Sequence, residues 1–164
     1  MRLKAIFIDF YGTLVHEDDE VIRLICERIK ANSVQDCHVG DIGTYWWKVF
    51  SRMCQASFGE TFKSQQEIGI ASLAETIRHF CSDCVADEII EPQFAYWMKP
   101  EIYPDTFPFI RAFESVPVYI LSNIDTAHIV SAIGYHRIPV TGVITSEDVR
   151  AYKPRPELFA EALN

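Results

Sequence analysis

Ala5-Ile6-Phe7-Ile8-Asp9-Phe10-Tyr11-Gly12-Thr13-Leu14-Val15 is an apolar run that ends abruptly in an acid and then turns. Bulky apolar residues in so short a run predict a buried strand, about Leu3 to Asp9. Gly12 allows the sharp turn that follows, because glycine adopts positive φ at no steric cost. A carboxylate at the end of a buried strand costs free energy unless something uses it. In open α/β sheets, ligands bind beyond the carboxyl ends of the strands. Asp9 is therefore the leading candidate for chemistry, against the plainer reading of an acid in a strand-end turn.

Two later stretches repeat the pattern of a strand ending in polar residues. Val118-Tyr119-Ile120-Leu121-Ser122-Asn123 is an apolar strand, read as Val116 to Leu121, closed by Ser-Asn. Thr141 to Thr145 is a short third strand, and Ser146-Glu147-Asp148-Val149-Arg150-Ala151-Tyr152-Lys153-Pro154 follows it. Between the second and third strands, Ile124 to Ile133 reads as a helix closed by Gly134. Asp105 or Thr106 is placed to cap a helix with Pro108 in its first turn and Phe109, Ile110 and Phe113 toward a core. Pro156 to Leu163 begins another helix.

From about Val34 to Met98 the spacing is helical throughout. Val21, Ile22, Ile25 and Ile29 line one face of a first helix that ends near Asn32-Ser33, its acidic start His16-Glu17-Asp18-Asp19-Glu20 complementing the helix dipole. Gly40 to Phe58 carries Tyr45, Trp46, Val49, Phe50 and Met53 at helical spacing. Ser64 to Cys81 carries Ile70, Leu73, Ala74 and Ile77. Asp87 to Met98 is a third piece that Pro92 kinks or splits. Cys81-Ser82-Asp83-Cys84, near His79, lacks the further ligands of a zinc site and the strand context of a redox pair, so idle or buried thiols are expected.

The chain has 164 residues, enough for one compact domain or a core with an insert. Its net charge of −8 argues against nucleic acid or an anionic membrane surface as partner. No apolar span is long enough to cross a membrane, and Met1-Arg2-Leu3-Lys4 leads straight into the first strand rather than into a secretory signal. Five cysteines without regular spacing fit reduced thiols and a cytoplasmic location.

The ordered set of motifs resembles the haloacid dehalogenase (HAD) superfamily of hydrolases, and the resemblance covers nearly the whole chain. It implies an α/β fold, a Rossmann-like parallel sheet (residues 1–15 and 100–164) with an all-helical cap (residues 16–99) inserted after the first strand. That arrangement is similar to the dehalogenase-like and phosphoglycolate-phosphatase-like branch, whose cap closes over the nucleophile. By resemblance Asp9 is the nucleophile and forms a covalent aspartyl intermediate, and Lys153 is the motif-three cation. Ser122 and Asn123 would donate to a bound carboxylate or phosphoryl oxygen. Thr13 would brace the loop or donate to Asp9, and the N–H groups after Asp9 suit an anion-binding nest.

Tyr11 separates the chemistries that the resemblance leaves open. Phosphatases of the superfamily carry a second Asp two residues after the nucleophile, which protonates the departing alcohol. Halide needs no proton, and Tyr11 stands at that position as in the haloacid dehalogenases. The resemblance thus implies a small 2-haloacid as substrate and no cofactor, with Trp47 and Lys48 (or Arg52, one turn on) in the region that holds the leaving halide. The alternatives are a Mg²⁺-dependent phosphatase, with Asp9 a metal ligand and Asp18 or Asp19 as the acid, and an inactive fragment serving as a binding or assembly module.

Only eleven residues follow Lys153, too few for another strand unit of about 30 residues. A fourth, acidic motif is therefore expected to be absent, in a truncated piece or a natural remnant. The first strand should then lie at a sheet edge, where an apolar edge invites self-association.

Overall fold

A computed structural model describes residues 3–163. The elements in chain order are β1 (Ile6–Ile8), α1 (Asp19–Ala31), α2 (Val39–Ala56), α3 (Gln65–His79), α4 (Ala86–Ile89), α5 (Glu91–Met98) and α6 (Thr106–Ala112). They continue with β2 (Val118–Ser122), α7 (Thr126–His136), β3 (Gly142–Thr145), α8 (Ser146–Val149) and α9 (Glu157–Ala162). The fold is α/β. The chain divides into two compact units, one made of Met1–Glu17 with Trp97–Asn164, the other of Asp18–Tyr96.

The first unit holds a three-stranded parallel sheet in the order β1-β2-β3. Ile6 pairs with Val118 and Ile8 with Ile120, while Ile120 pairs with Val143 and Ser122 with Thr145. All three strands are shorter or shifted relative to the sequence reading, β3 only by starting at Gly142. β1 starts at Ile6 rather than Leu3, because its ladder begins where Ile6 N–H reaches the Pro117 carbonyl, and Leu3 stays exposed. β2 begins after Pro117, which has no N–H to give the ladder, and takes in Ser122 through its pairing with Thr145. β1 occupies one edge, and Phe7 is 39 % exposed there rather than buried as an interior parallel strand would be. The core of this unit gathers Phe10, Val15, Ile120, Ile129, Ala132 and Leu158, all fully buried.

Helix α7 departs from its expected end. Gly134 lies inside the helix, and the left-handed cap is Arg137, with φ 55°. The cap position is set by where the chain leaves for β3, not by where a glycine happens to fall. Its amino end is held by a residue distant in sequence, Glu147 Oε2 accepting from Thr126 N–H at 2.8 Å.

The second unit is wholly helical. Ile25 and Ile29 of α1, Ile42, Trp46 and Val49 of α2, and Ile68, Leu73 and Ile77 of α3 form its buried centre. The buried stripe of α3 also contains Ser72 and Thr76, while the expected Ile70 and Ala74 are only half-buried. The two hydroxyls reach the core because each bonds back to its own helix, Ser72 Oγ to Gly69 O and Thr76 Oγ1 to Ser72 O. Ser72 Oγ also accepts from Trp46 Nε1 at 3.0 Å, so the buried indole N–H is satisfied. A capping box between Ser64 and Glu67 starts α3. Pro92 stands in the first turn of α5, where its missing N–H is tolerated, and the helical run breaks into α4 and α5 just before it. The ring of His79 stacks on Tyr45 with centroids 3.9 Å apart. Among the described residues no helix is long and apolar enough to cross a membrane, and all five cysteines are free thiols.

Candidate active site

The site is built at the carboxyl ends of β1 and β2. Asp9 leaves the sheet one residue past β1, and Asn123 one residue past β2. The parallel register of the two strands brings both loops to the same end of the sheet.

The loop after Asp9 folds back on a single carbonyl. Thr13, Leu14 and Val15 all direct their N–H groups to Phe10 O, at 3.2, 2.8 and 3.2 Å, and Gly12 N–H reaches Val15 O at 2.7 Å. Gly12 has φ +76°, a conformation that glycine adopts without strain. This hydrogen bonding narrows the expected anion nest. The N–H groups of residues 12–15 are used within the turn, and Phe10 N–H donates to Asp9 Oδ1 at 2.9 Å. Thr13 has an exposed side chain that makes no hydrogen bond to Asp9. The bracing comes instead from Thr106, 2 % exposed, whose Oγ1 donates to Leu14 O at 2.6 Å. The sequence offers Asp105 or Thr106 as a helix cap, and Asp105 takes the cap position. Nothing local marks a hydroxyl that bonds to a carbonyl 92 residues away.

Lys153 carries the positive charge of the site. Its Nζ lies 2.9 Å from Asp9 Oδ1 and donates to Leu121 O, also at 2.9 Å. Both donors to the Asp9 carboxylate, Lys153 Nζ and Phe10 N–H, converge on Oδ1. Oδ2 has no hydrogen-bond partner among the described residues, and the Asp9 side chain is 49 % exposed. The carboxylate is thus fixed by one oxygen and open at the other.

The remaining predicted residues differ in how far they are engaged. Ser122 is 3 % exposed, and its hydroxyl is unengaged among the described residues. Asn123 is bound to the backbone of Lys153. Its Oδ1 accepts from Lys153 N–H at 2.6 Å and its Nδ2 donates to Lys153 O at 3.3 Å. Tyr11 donates its phenol to the Trp97 carbonyl at 2.5 Å. Trp47 and Lys48 lie on α2 in the helical unit, both exposed, with Trp47 stacked on Phe50 at 5.9 Å. Arg52 is committed to Glu75 by two bonds of 2.8 and 2.9 Å. Asp18 Oδ2 accepts from Gln93 Nε2 at 2.8 Å.

Among the described residues no three His, Cys, Asp or Glu side chains are grouped to hold a metal, and Lys153 Nζ sits against Asp9.

The solved structures that resemble this chain share its fold. An L-2-haloacid dehalogenase from Xanthobacter autotrophicus, with chloropropionic acid covalently bound, superposes with a TM-score of 0.72 at 16 % identity, covering 98 % of this chain and 64 % of its own. A defluorinating L-2-haloacid dehalogenase gives 0.73 at 20 % identity, covering 98 % and 67 %. A magnesium-bound HAD-hydrolase from Bacillus subtilis gives 0.71 at 13 % identity, covering 99 % and 73 %. This chain therefore spans roughly two thirds of the length of these proteins. No curated protein matches its sequence. Its sequence does match one family of hydrolases over residues 3–164, and with the sheet order and the motif positions already described, the chain belongs to the haloacid dehalogenase-like hydrolases.

Proposed function

We propose that Asp9 is the nucleophile of a dehalogenase-type hydrolase that displaces halide from a small 2-haloacid. The observation that carries this reading is the one-sided Asp9 carboxylate, held at Oδ1 and open at Oδ2. Oδ2 attacks the halogen-bearing carbon, an ester bond forms, and the halide leaves with the bonding electron pair. Water then cleaves the ester, giving a 2-hydroxy acid, the Asp9 carboxylate and a proton. A carboxylate is already ionised at neutral pH and needs no base to activate it. Lys153 orients Asp9 and offsets the negative charge that a carboxylate substrate adds. Ser122, with its unengaged hydroxyl, is the donor to the substrate carboxylate.

Tyr11 supports this chemistry over phosphoryl transfer. An alkoxide leaving group needs a proton, and the phenol at the relevant position is bound to a main-chain carbonyl. In keeping with the free thiols, the cytoplasm is the proposed compartment.

The test is a panel of 2-haloacids and small phosphate esters, each with and without EDTA. Halide release is expected from a 2-haloacid, unchanged by EDTA. Asp9→Asn is expected to lower it by at least about a thousandfold, the scale on which loss of a nucleophile acts. Phosphate release that EDTA quenches would overturn the dehalogenase assignment. Absence of any turnover would favour a binding or assembly role.

A further inference from the structure

Asn123 uses its carboxamide as a strand uses its backbone. One end accepts from the N–H of Lys153 at 2.6 Å and the other donates to the C=O of the same residue at 3.3 Å. The side chain of Lys153 is then caught a second time, by Leu121 O at 2.9 Å, two residues before Asn123. Main chain and ammonium are both tied to the end of β2, and the flexible methylenes between them span two fixed points. A lysine side chain otherwise carries large rotamer freedom. Fixing both ends leaves Nζ at the place where it meets Asp9 Oδ1.

We propose that Asn123 is a positioning residue, which sets the ammonium of Lys153 against the nucleophile. The chemistry of the amide explains the residue type. Only a carboxamide offers one donor and one acceptor side by side to match a peptide N–H and C=O. Aspartate would turn a negative oxygen toward the Lys153 carbonyl, and alanine offers neither group. The inference rests on the reading of Asp9 as nucleophile for its catalytic consequence, but its structural content stands on the contacts alone.

The experiment therefore has two arms, in the full chain. The first needs no substrate: hydrogen exchange of the Lys153 amide and reductive methylation of the Lys153 amine. Asn123→Ala is expected to speed exchange about tenfold, the factor that one lost hydrogen bond supplies, and to raise methylation of Lys153 relative to the other lysines. Unchanged exchange and methylation overturn the proposal, whether or not the protein is a dehalogenase. The second arm is steady-state kinetics on 2-chloropropionate. Asn123→Ala is expected to lower kcat by about a hundredfold, as a small misplacement of a catalytic group does, with KM unchanged. A raised KM with kcat preserved would make Asn123 a substrate donor and overturn the proposal. If Asn123→Ala does not fold, Asn123→Asp decides. It keeps the acceptor for Lys153 N–H and loses the donor, so the amide should stay protected while methylation of Lys153 rises. Methylation at the unsubstituted rate would overturn the proposal.

Discussion

Asp9 and Lys153 are 144 residues apart in sequence and 2.9 Å apart in space, and each is held by neighbours of quite different visibility. Asp9 could be read from the chain, because an acid ending an apolar strand has few other uses. Its support could not. Thr106 braces the Asp9 loop through Leu14 O, and the same carbonyl also accepts Tyr103 N–H at 3.2 Å. Thr106→Val keeps the shape and removes the hydroxyl, leaving Leu14 O its second donor. The expected cost is about 1 kcal/mol, seen as a lower urea midpoint with an unchanged slope. A threonine beside a proline-containing helix start reads as a cap, and only the tertiary fold turns its hydroxyl to another segment. Asn123 is a similar case. Its type and position were legible, but its two hydrogen bonds to the Lys153 backbone were not.

At the scale of elements, helix and strand existence followed from periodicity and the edge position of β1 from the family resemblance, and boundaries did not. β1 is shorter than its apolar run because pairing, not hydrophobicity, ends a strand. The α3 stripe includes two hydroxyl residues that hide by bonding to their own helix, which a count of apolar positions misses. The edge position of β1 carries its own expectation. Its Ala5-Ile6-Phe7-Ile8 run contains neither charge nor proline, the usual protection of an edge. The chain of residues 1–164 is expected to self-associate, its scattering mass rising with concentration. Phe7→Lys, at a 39 % exposed edge position, should reduce that rise. A mass that stays at one chain across the series would show that the edge is protected.

For the whole molecule, acid stability is expected to depend on His128. Burial holds its pKa below the ordinary value of 6.5, against the opposing pull of Asp125 and Glu147. Its ring packs edge-on to Trp97 at 5.4 Å. A depressed histidine binds fewer protons folded than unfolded, so its contribution is complete above the unfolded pKa and is lost as pH falls through the folded one. Melting temperature should drop between about pH 7.5 and about pH 5, and His128→Gln should flatten that part of the profile. A profile identical in both proteins would remove His128 from the account. The insertion of Asp18–Tyr96 has a consequence of another kind. Val15 bridges Ile102 in antiparallel fashion and His16 N–H reaches Glu101 O at 2.8 Å, so the two crossings of the chain are stitched together inside the sheet-bearing unit. Trp97 stands four residues from Glu101, at most about 14 Å of extended chain. A few glycines and serines could therefore close the gap from Glu17 to Trp97, which makes the helical unit an exchangeable cassette mounted on a seam that closes without it.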